Sequence, residues 1–330
     1  MRRRDFVARI SAATVALPLG LRAQQPERMR RIAVLMAYAE NDPEAQLRLG
    51  AFKDGLAALG WVENRSVRFD VRWIGGELNR APVLAKELVA LRPDVILSNT
   101  TPATAALHQE TQTIPIVFAV VANPVGSGFI KSLSRPGGNI TGLLYLESTL
   151  AEKWLELLKQ VAPQVMQVAV MFNPETAPFV EYYLDPLNNF AATLGVKTFS
   201  APVGSDADIE KTIAVLGRER DNGLIAVPDG FLLVHRKAVI AQVARYKVPA
   251  IYYSTPFVED GGLIGYGVDA VDLFRRAAAY VDRILLGAKP QDLPVEQPTK
   301  FEFAINKSTA KALGLTFPQS ILVRADKVIE

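Results

Sequence analysis

Five apolar runs in this sequence end at a hydroxyl, amide or carboxylate side chain next to a proline. These exits are Thr100-Thr101-Pro102, Asn123-Pro124, Asn173-Pro174, Pro228-Asp229 and Ser254-Thr255-Pro256. A Thr, Asn or Asp in such a place caps the helix that follows and leaves first-turn N–H groups free to meet an anion. Proline suits the first helical turn, where its missing N–H would have gone unpaired anyway. The chemistry on offer is hydrogen-bond recognition of a small polar ligand. The same residues also serve as plain turn and cap formers in any α/β protein, so no single exit defines a site.

Groups for bond-making chemistry are scarce. The two histidines, His108 and His235, fall in separate amphipathic helical patterns. The sequence contains no Gly-x-Ser-x-Gly elbow, no phosphate-binding P-loop and no zinc-protease histidine pair. Cysteine is absent, which excludes disulfides, a thiol nucleophile and cysteine metal sites. Gly126-Ser127-Gly128 is too short for a dinucleotide fingerprint and, with Asn123-Pro124, reads as the tight turn into a helix. The expectation is a non-enzyme with no catalytic residues, no metal site and no cofactor.

The apolar runs that carry the exits are short and continuous, as in strands covered by helices on both faces of a parallel sheet. In such sheets ligands lie at the carboxyl ends of the strands. Strands are expected over 31–37, 66–74, 94–99, 114–121 and 139–145, with helices over 44–59, 79–91 and from Pro102. A second set follows: helices over 150–161, 179–194, 206–216 and 231–246 alternate with strands over 167–172, 196–202, 223–227 and 249–254. A short strand over 262–268, a long amphipathic helix over 270–286 and a last strand over 300–306 close the pattern. This β-α alternation calls for right-handed crossovers with helices on both sheet faces, and five polar exits spread over both halves of the chain suggest two sheets sharing one polar cleft.

Residues 1–23 read as an export leader. Arg2-Arg3-Arg4 is a positive start, 10–21 is a short apolar stretch, and Ala23 offers a cleavage site. Arg3-Arg4-Asp5-Phe6-Val7 also resembles the twin-arginine signal. Of 37 basic and 34 acidic residues, the leader holds five and one, which leaves 32 against 33 in the mature chain. The basic character therefore belongs to the leader, and no positive field argues for nucleic acid. With no cysteine for a lipid anchor, a Gram-negative periplasm is the expected location, and the mature chain is expected to be a monomer.

Several motifs in order resemble a known family: Thr100-Thr-Pro-Ala-Thr-Ala105, Ile114-Pro-Ile-Val-Phe118, Asn123-Pro-Val-Gly126, Arg135-Pro-Gly-Gly-Asn-Ile-Thr-Gly142, Asn173-Pro174, Gly265-Tyr-Gly-Val-Asp269 and Leu286-Gly-Ala-Lys-Pro290. The mature chain is similar to substrate-binding proteins of ABC uptake systems related to the tryptophan- and tyrosine/phenylalanine-binding proteins. The resemblance implies an α/β fold of two doubly wound parallel-sheet lobes joined by a three-crossover hinge, the type I periplasmic-binding fold. It places crossovers near 145–148, 268–270 and 296–300. The lobes would be 24–146 with 269–298, and 147–268 with 299–330.

It also nominates ligand contacts. Thr100 and Thr101 would offer hydroxyls and N–H groups to a carboxylate. Asn123 stands where relatives carry Asp, which removes a charge and weakens the case for ammonium recognition there. Asn173 opens the polar loop of the second lobe, and Asp229 would pair with a ligand ammonium. Tyr38, Tyr253 and Tyr266 lie at or near strand exits, where an aromatic ring could stack. The implied function is a receptor that closes over a small carboxylate-bearing ligand, such as an amino acid or aromatic acid, and docks on an inner-membrane ABC permease. The rival reading is a ligand-sensing partner of a membrane histidine kinase.

Overall fold

The protein is described by a computed structural model covering residues 29–145 and 147–330. The expected leader, with its cleavage near Ala23, lies outside the described residues. The first sheet holds β1 (Arg30–Met36), β2 (Val67–Trp73), β3 (Val95–Asn99), β4 (Ile116–Val121) and β5 (Ile140–Leu144). Their order is β2-β1-β3-β4-β5, and every pairing is parallel. All residues of β3, β4 and β5 are buried, which is why their sequences read as unbroken apolar runs. Helices α1 (Pro43–Ala58), α2 (Ala81–Ala90) and α3 (Thr101–Glu110) connect these strands.

After β5 the chain crosses to the second sheet through α4 (Leu150–Val161). That sheet comprises β6 (Gln167–Phe172), β7 (Lys197–Pro202), β8 (Asn222–Ala226), β9 (Ala250–Tyr252), β10 (Ile264–Val268), β11 (Phe301–Asn306) and β12 (Lys327–Ile329). The order is β12-β11-β10-β9-β8-β6-β7. Between its strands lie α5 (Glu181–Thr193), α6 (Asp206–Leu216), α7 (Gly230–Val234), α8 (Arg236–Tyr246) and α9 (Thr255–Glu259). The long helix α10 (Ala270–Leu285) follows β10 and returns to the first sheet, where it packs on α1 and against β3, β4 and β5.

Helix α1 shows why these elements form where they do. Asp42 caps it by accepting from the Ala45 N–H, and Pro43 fills its first position. Ala45, Leu49, Phe52 and Leu56 form the buried stripe that the helical period demands. Gly55 lets α10 come close: a Cβ there would lie 2.9 Å from the Arg275 carbonyl and 2.8 Å from the Ala278 Cβ. Trp61 Nε1 donates to Asp282 at 2.8 Å and fastens the far end of the same contact.

The structure departs from the sequence reading in five places, the first being residues 126–128, which lie in a turn and open no helix. The helix expected over 231–246 breaks into α7 and α8 at His235, whose backbone (φ −91°, ψ 12°) leaves the helical region. The strand expected over 249–254 keeps only three paired residues, and Tyr253 and Ser254 leave the sheet to meet the start of α9. Strand β11 runs antiparallel to β10 and β12 runs parallel to β11, so the second sheet ends in two reversed members. The C-terminal α12 (Gln319–Leu322) and β12, which follow α11 (Lys307–Ala312), were not foreseen.

Three passages link the two sheets: after β5, after β10, and before β11. The last two are pinned together at Asp269, whose N–H donates to the Lys300 carbonyl at 3.1 Å. Lys300 Nζ returns a charged bond to Asp269 Oδ2 at 2.6 Å. Asp269 also caps α10 through the Asp272 N–H. Glu296 pairs with Leu143 beside β5, so the third passage runs along the first.

Candidate functional site

The strand exits of the two sheets face each other across a cavity. From the first lobe it is lined by Tyr38 after β1, Arg48 on α1, Thr100 and Thr101 at the start of α3, Val120 and Ala122 around the end of β4, and Tyr145 after β5. From the second come Thr176 and Phe179 in the loop after β6, Pro228, Asp229 and Gly230 after β8, Leu233 on α7, and Tyr253 after β9. Tyr145 and Tyr253 meet edge to face with centroids 6.3 Å apart, one ring from each side.

The backbone is unusual along the first-lobe rim. Thr100, Val120 and Asn123 all have positive φ, at 77°, 61° and 43°. A β-branched residue there is an outlier that only a strongly determined surrounding holds in place. At Val120 the register between β4 and β5 shifts. Gly142 opposite leaves room, since a Cβ would fall 2.1 Å from the Phe118 carbonyl.

The start of α3 is open to a ligand. Thr100 is its N-cap residue, yet no side chain caps the helix. Thr104 Oγ1 turns inward, bonded to the Thr100 carbonyl at 2.8 Å and to Ser98 Oγ at 2.7 Å. Thr101 Oγ1 is buried without a partner among the described residues, as is Asn99 Nδ2 two residues earlier. Unpaired helix-start N–H groups and a dry hydroxyl together suit a carboxylate oxygen.

Across the cavity, Asp229 is almost fully buried and fastened by its own lobe. It accepts from the Asn173 N–H, the Thr176 hydroxyl and the Phe231 N–H, and so caps α7. Burial raises its pKa to about 6, against the lowering effect of those donors. Its main-chain carbonyl accepts from the Tyr253 hydroxyl at 2.9 Å. Arg48, only 2% exposed, donates Nε to Glu44 at 2.9 Å and Nη1 to the Tyr38 hydroxyl at 3.0 Å. Burial pushes up the phenol pKa of both Tyr38 and Tyr253.

Of the residues nominated from sequence, Tyr38, Thr100, Thr101, Asp229 and Tyr253 meet in this cavity. Asn123 sits outside it, in a groove at the cleft mouth that faces Pro178, Phe179 and Tyr182 of the other lobe. Its Oδ1 accepts from the Gly126 N–H at 3.0 Å. Asn173 shapes the wall without lining it: its Oδ1 takes the Glu175 and Thr176 N–H groups and thereby aims Thr176 at Asp229. Tyr266 does not reach the cavity. Its ring stacks on Phe301 at 6.1 Å on the hinge strands.

Sequence reasoning missed Arg48, Tyr145, Thr176 and Phe179. The Glu44–Arg48 spacing looks like a solvent-exposed ion pair one helical turn apart. The overlooked signal is phase. Arg48 lies three residues after Ala45 and four before Phe52, inside the buried stripe. A cation on an apolar stripe must be paired or functional.

A family model described as ABC transporter substrate binding protein matches residues 31–329. A tyrosine-binding protein of Clostridioides difficile (strain R20291) is 27% identical over 266 residues, spanning 80% of this chain and 75% of that protein. The crystal structure of a conserved domain protein from Vibrio cholerae is 31% identical, with TM-score 0.85 over 91% of this chain and 100% of that one. An ABC domain from Streptococcus pneumonia, solved in complex with L-Trp, is 28% identical, with TM-score 0.84 over 91% of this chain and 99% of that one. That family is a class of binding proteins, not of enzymes. With a family model covering nearly every described residue and a two-lobed α/β fold built around one cavity, the chain belongs to the ABC transporter substrate-binding protein family.

Proposed function

We propose that this chain is the receptor of an ABC importer, closing over a small carboxylate-bearing ligand, an amino acid or an aromatic acid. The observation that carries the reading is the uncapped start of α3 inside the interlobe cavity, with Thr101 Oγ1 buried and unpartnered beside it. A ligand carboxylate would supply the missing acceptor, and charge-assisted bonds of this kind are about twice as strong as neutral ones. Tyr38, Tyr145, Phe179 and Tyr253 provide an aromatic surround for the rest of the molecule. Asp229 offers the only carboxylate among the lining residues for a ligand ammonium. Two relatives point the same way, one named for tyrosine and one solved with L-Trp.

In this reading the leader at residues 1–23 delivers the protein to the periplasm, where it works as a monomer. The liganded, closed form docks on the membrane permease. A ligand drives closure only by as much as it prefers the closed state. Micromolar affinity corresponds to about 8 kcal/mol, within reach of one carboxylate clamp, one ammonium pair and ring stacking.

A thermal-shift panel of amino acids, aromatic acids, short peptides and neutral sugars tests this directly. Saturating a site to about 100 times its Kd adds about 2.7 kcal/mol to the folded state, a readable rise in Tm. Stabilisation by amino acids or aromatic acids is expected. Stabilisation by neutral sugars alone would contradict the carboxylate assignment.

A further inference from the structure

A second recess, of about 220 Å³, lies on the hinge side of the interlobe cavity and shares only Arg48 with it. Four carboxylates line this recess: Glu44, Glu259, Asp269 and Glu302. Glu44 holds Arg48 at 2.9 Å, Glu259 holds Lys327 at 2.5 Å, and Asp269 holds Lys300 at 2.6 Å. Glu302 forms no ion pair among the described residues. Its Oε2 accepts the neutral Thr255 hydroxyl at 2.9 Å. Burial raises the Glu302 pKa, the Thr255 bond opposes the rise, and the charge of Asp269 adds to it.

Carboxylates ordinarily face water, so the cluster by itself defines no site. Ser254 supplies the independent observation. It lines the same recess and is 5% exposed, and its Oγ is buried without a partner among the described residues. As the N-cap residue of α9 it would ordinarily spend that oxygen on a first-turn N–H, yet no side chain caps this helix. The next residue is Thr255, whose hydroxyl touches Glu302. An oxygen without a partner therefore lies beside a carboxylate without a counterion. Buried polar atoms are normally satisfied, so the missing partner is to be sought in an occupant of the recess.

That occupant must be positive and must carry hydrogen-bond donors. Among the described residues no group of three or more His, Asp or Glu side chains is placed to hold a metal ion. A primary ammonium needs no such shell, because it carries its charge on three N–H donors that reach separate acceptors. We propose that the recess binds a small primary amine in its ammonium form, with Glu302 as its counterion and Ser254 Oγ as a second acceptor. Asp269 contributes charge alone, since its oxygens are taken by Lys300 and the Asp272 N–H. The site stands whatever the interlobe cavity takes.

The test is calorimetric titration of the purified protein with n-propylammonium and tetramethylammonium chlorides at one ionic strength, with sodium, potassium and magnesium chlorides alongside. The two organic probes carry the same charge, and only the first has N–H donors. Propylammonium is expected to bind at least about tenfold more tightly than tetramethylammonium. Glu302→Gln keeps the size and the acceptor for Thr255 while removing the charge, and should weaken propylammonium at least about tenfold. That loss would locate the probe in the recess and away from Asp229, which the variant leaves intact. Ser254→Ala should weaken it about threefold. Should Glu302→Gln fail to fold, Ser254→Ala decides in its place, because it removes an atom that holds nothing in the fold. Equal binding of the two organic probes would reveal only a negative field and overturn the proposal. So would affinity unchanged in either variant, tighter binding of a metal ion, or no binding of propylammonium.

Discussion

The Thr101 hydroxyl lies in the cavity without a partner among the described residues, and an unsatisfied buried polar group costs about 1–3 kcal/mol. Thr101→Val keeps the shape and removes that cost from the empty protein. The variant should therefore be as stable as the parent or slightly more so, yet bind carboxylates about tenfold more weakly, the equivalent of about 1.4 kcal/mol. Calorimetry and a melting curve on the same sample check both halves. Asp229 gives a prediction with a pH sign. Its folded-state pKa of about 6 lies above the ordinary 3.8, so the fold favours the protonated acid. That contribution, about 3 kcal/mol, is fully present below pH 4 and is lost as pH rises through about 6. For binding the consequence runs the other way. A ligand ammonium needs the ionised form, so its affinity should fall as pH drops from 7.5 to 5, whereas an ammonium-free acid should bind as well or better at pH 5. Parallel titrations at the two pH values decide it, and identical pH profiles for both ligands would remove Asp229 from the ammonium role. At this scale, residues that end apolar strands were legible in the sequence, because a polar group after an apolar run stands out. Arg48 was not, because its i,i+4 carboxylate imitates a surface pair and only its phase on the helix reveals burial. Thr176 was not, because its orientation depends on the turn that Asn173 folds around itself.

Between α1 and α10 the contact is set by a missing side chain. Gly55→Val would drive a Cβ to within 2.9 Å of the Arg275 main chain, which cannot rotate away. Overpacking of this kind costs about 1–3 kcal/mol, and a chemical-denaturation curve should show a loss of at least the lower figure. An unchanged midpoint would mean that the helices separate freely. Gly267 is tighter still, with a Cβ position 1.8 Å from the Tyr253 carbonyl. That approach seats the carboxyl end of β9 against β10 and so fixes Tyr253 in the cavity wall. The order of strands and helices was readable from sequence since burial on both faces erases the two-residue alternation and leaves solid apolar runs. Element ends were harder. His235 breaks a helix whose apolar pattern continues through it, and β12 is a three-residue edge strand with mostly exposed side chains. Tertiary pairing with β11, not local pattern, makes β12.

At the scale of the molecule, the two lobes touch around the cavity on more than one side. Tyr145 meets Tyr253 at one wall. At the lip, Arg236 of α8 reaches Asp42, the cap of α1, at 3.6 Å while its Nε holds Asp260 at 2.8 Å. Arg236 and Asp42 come from different lobes, so under the proposed closure their contact would form as the cleft shuts. Arg236→Gln should thus weaken ligand binding about threefold to tenfold, chiefly through faster release, as is usual for changes that destabilise a bound state. Stopped-flow release rates would show this, and a change confined to the association rate would count against a latch. The chain's lack of cysteine makes the decisive measurement simple. Spin labels attached through Asn79→Cys on the first lobe and Lys237→Cys on the second report their separation by pulsed electron resonance. With the amino acid or aromatic acid that raises Tm most, the distance distribution should shorten and narrow relative to the ligand-free protein. A distribution that does not change at saturation would contradict closure of the two lobes around a ligand.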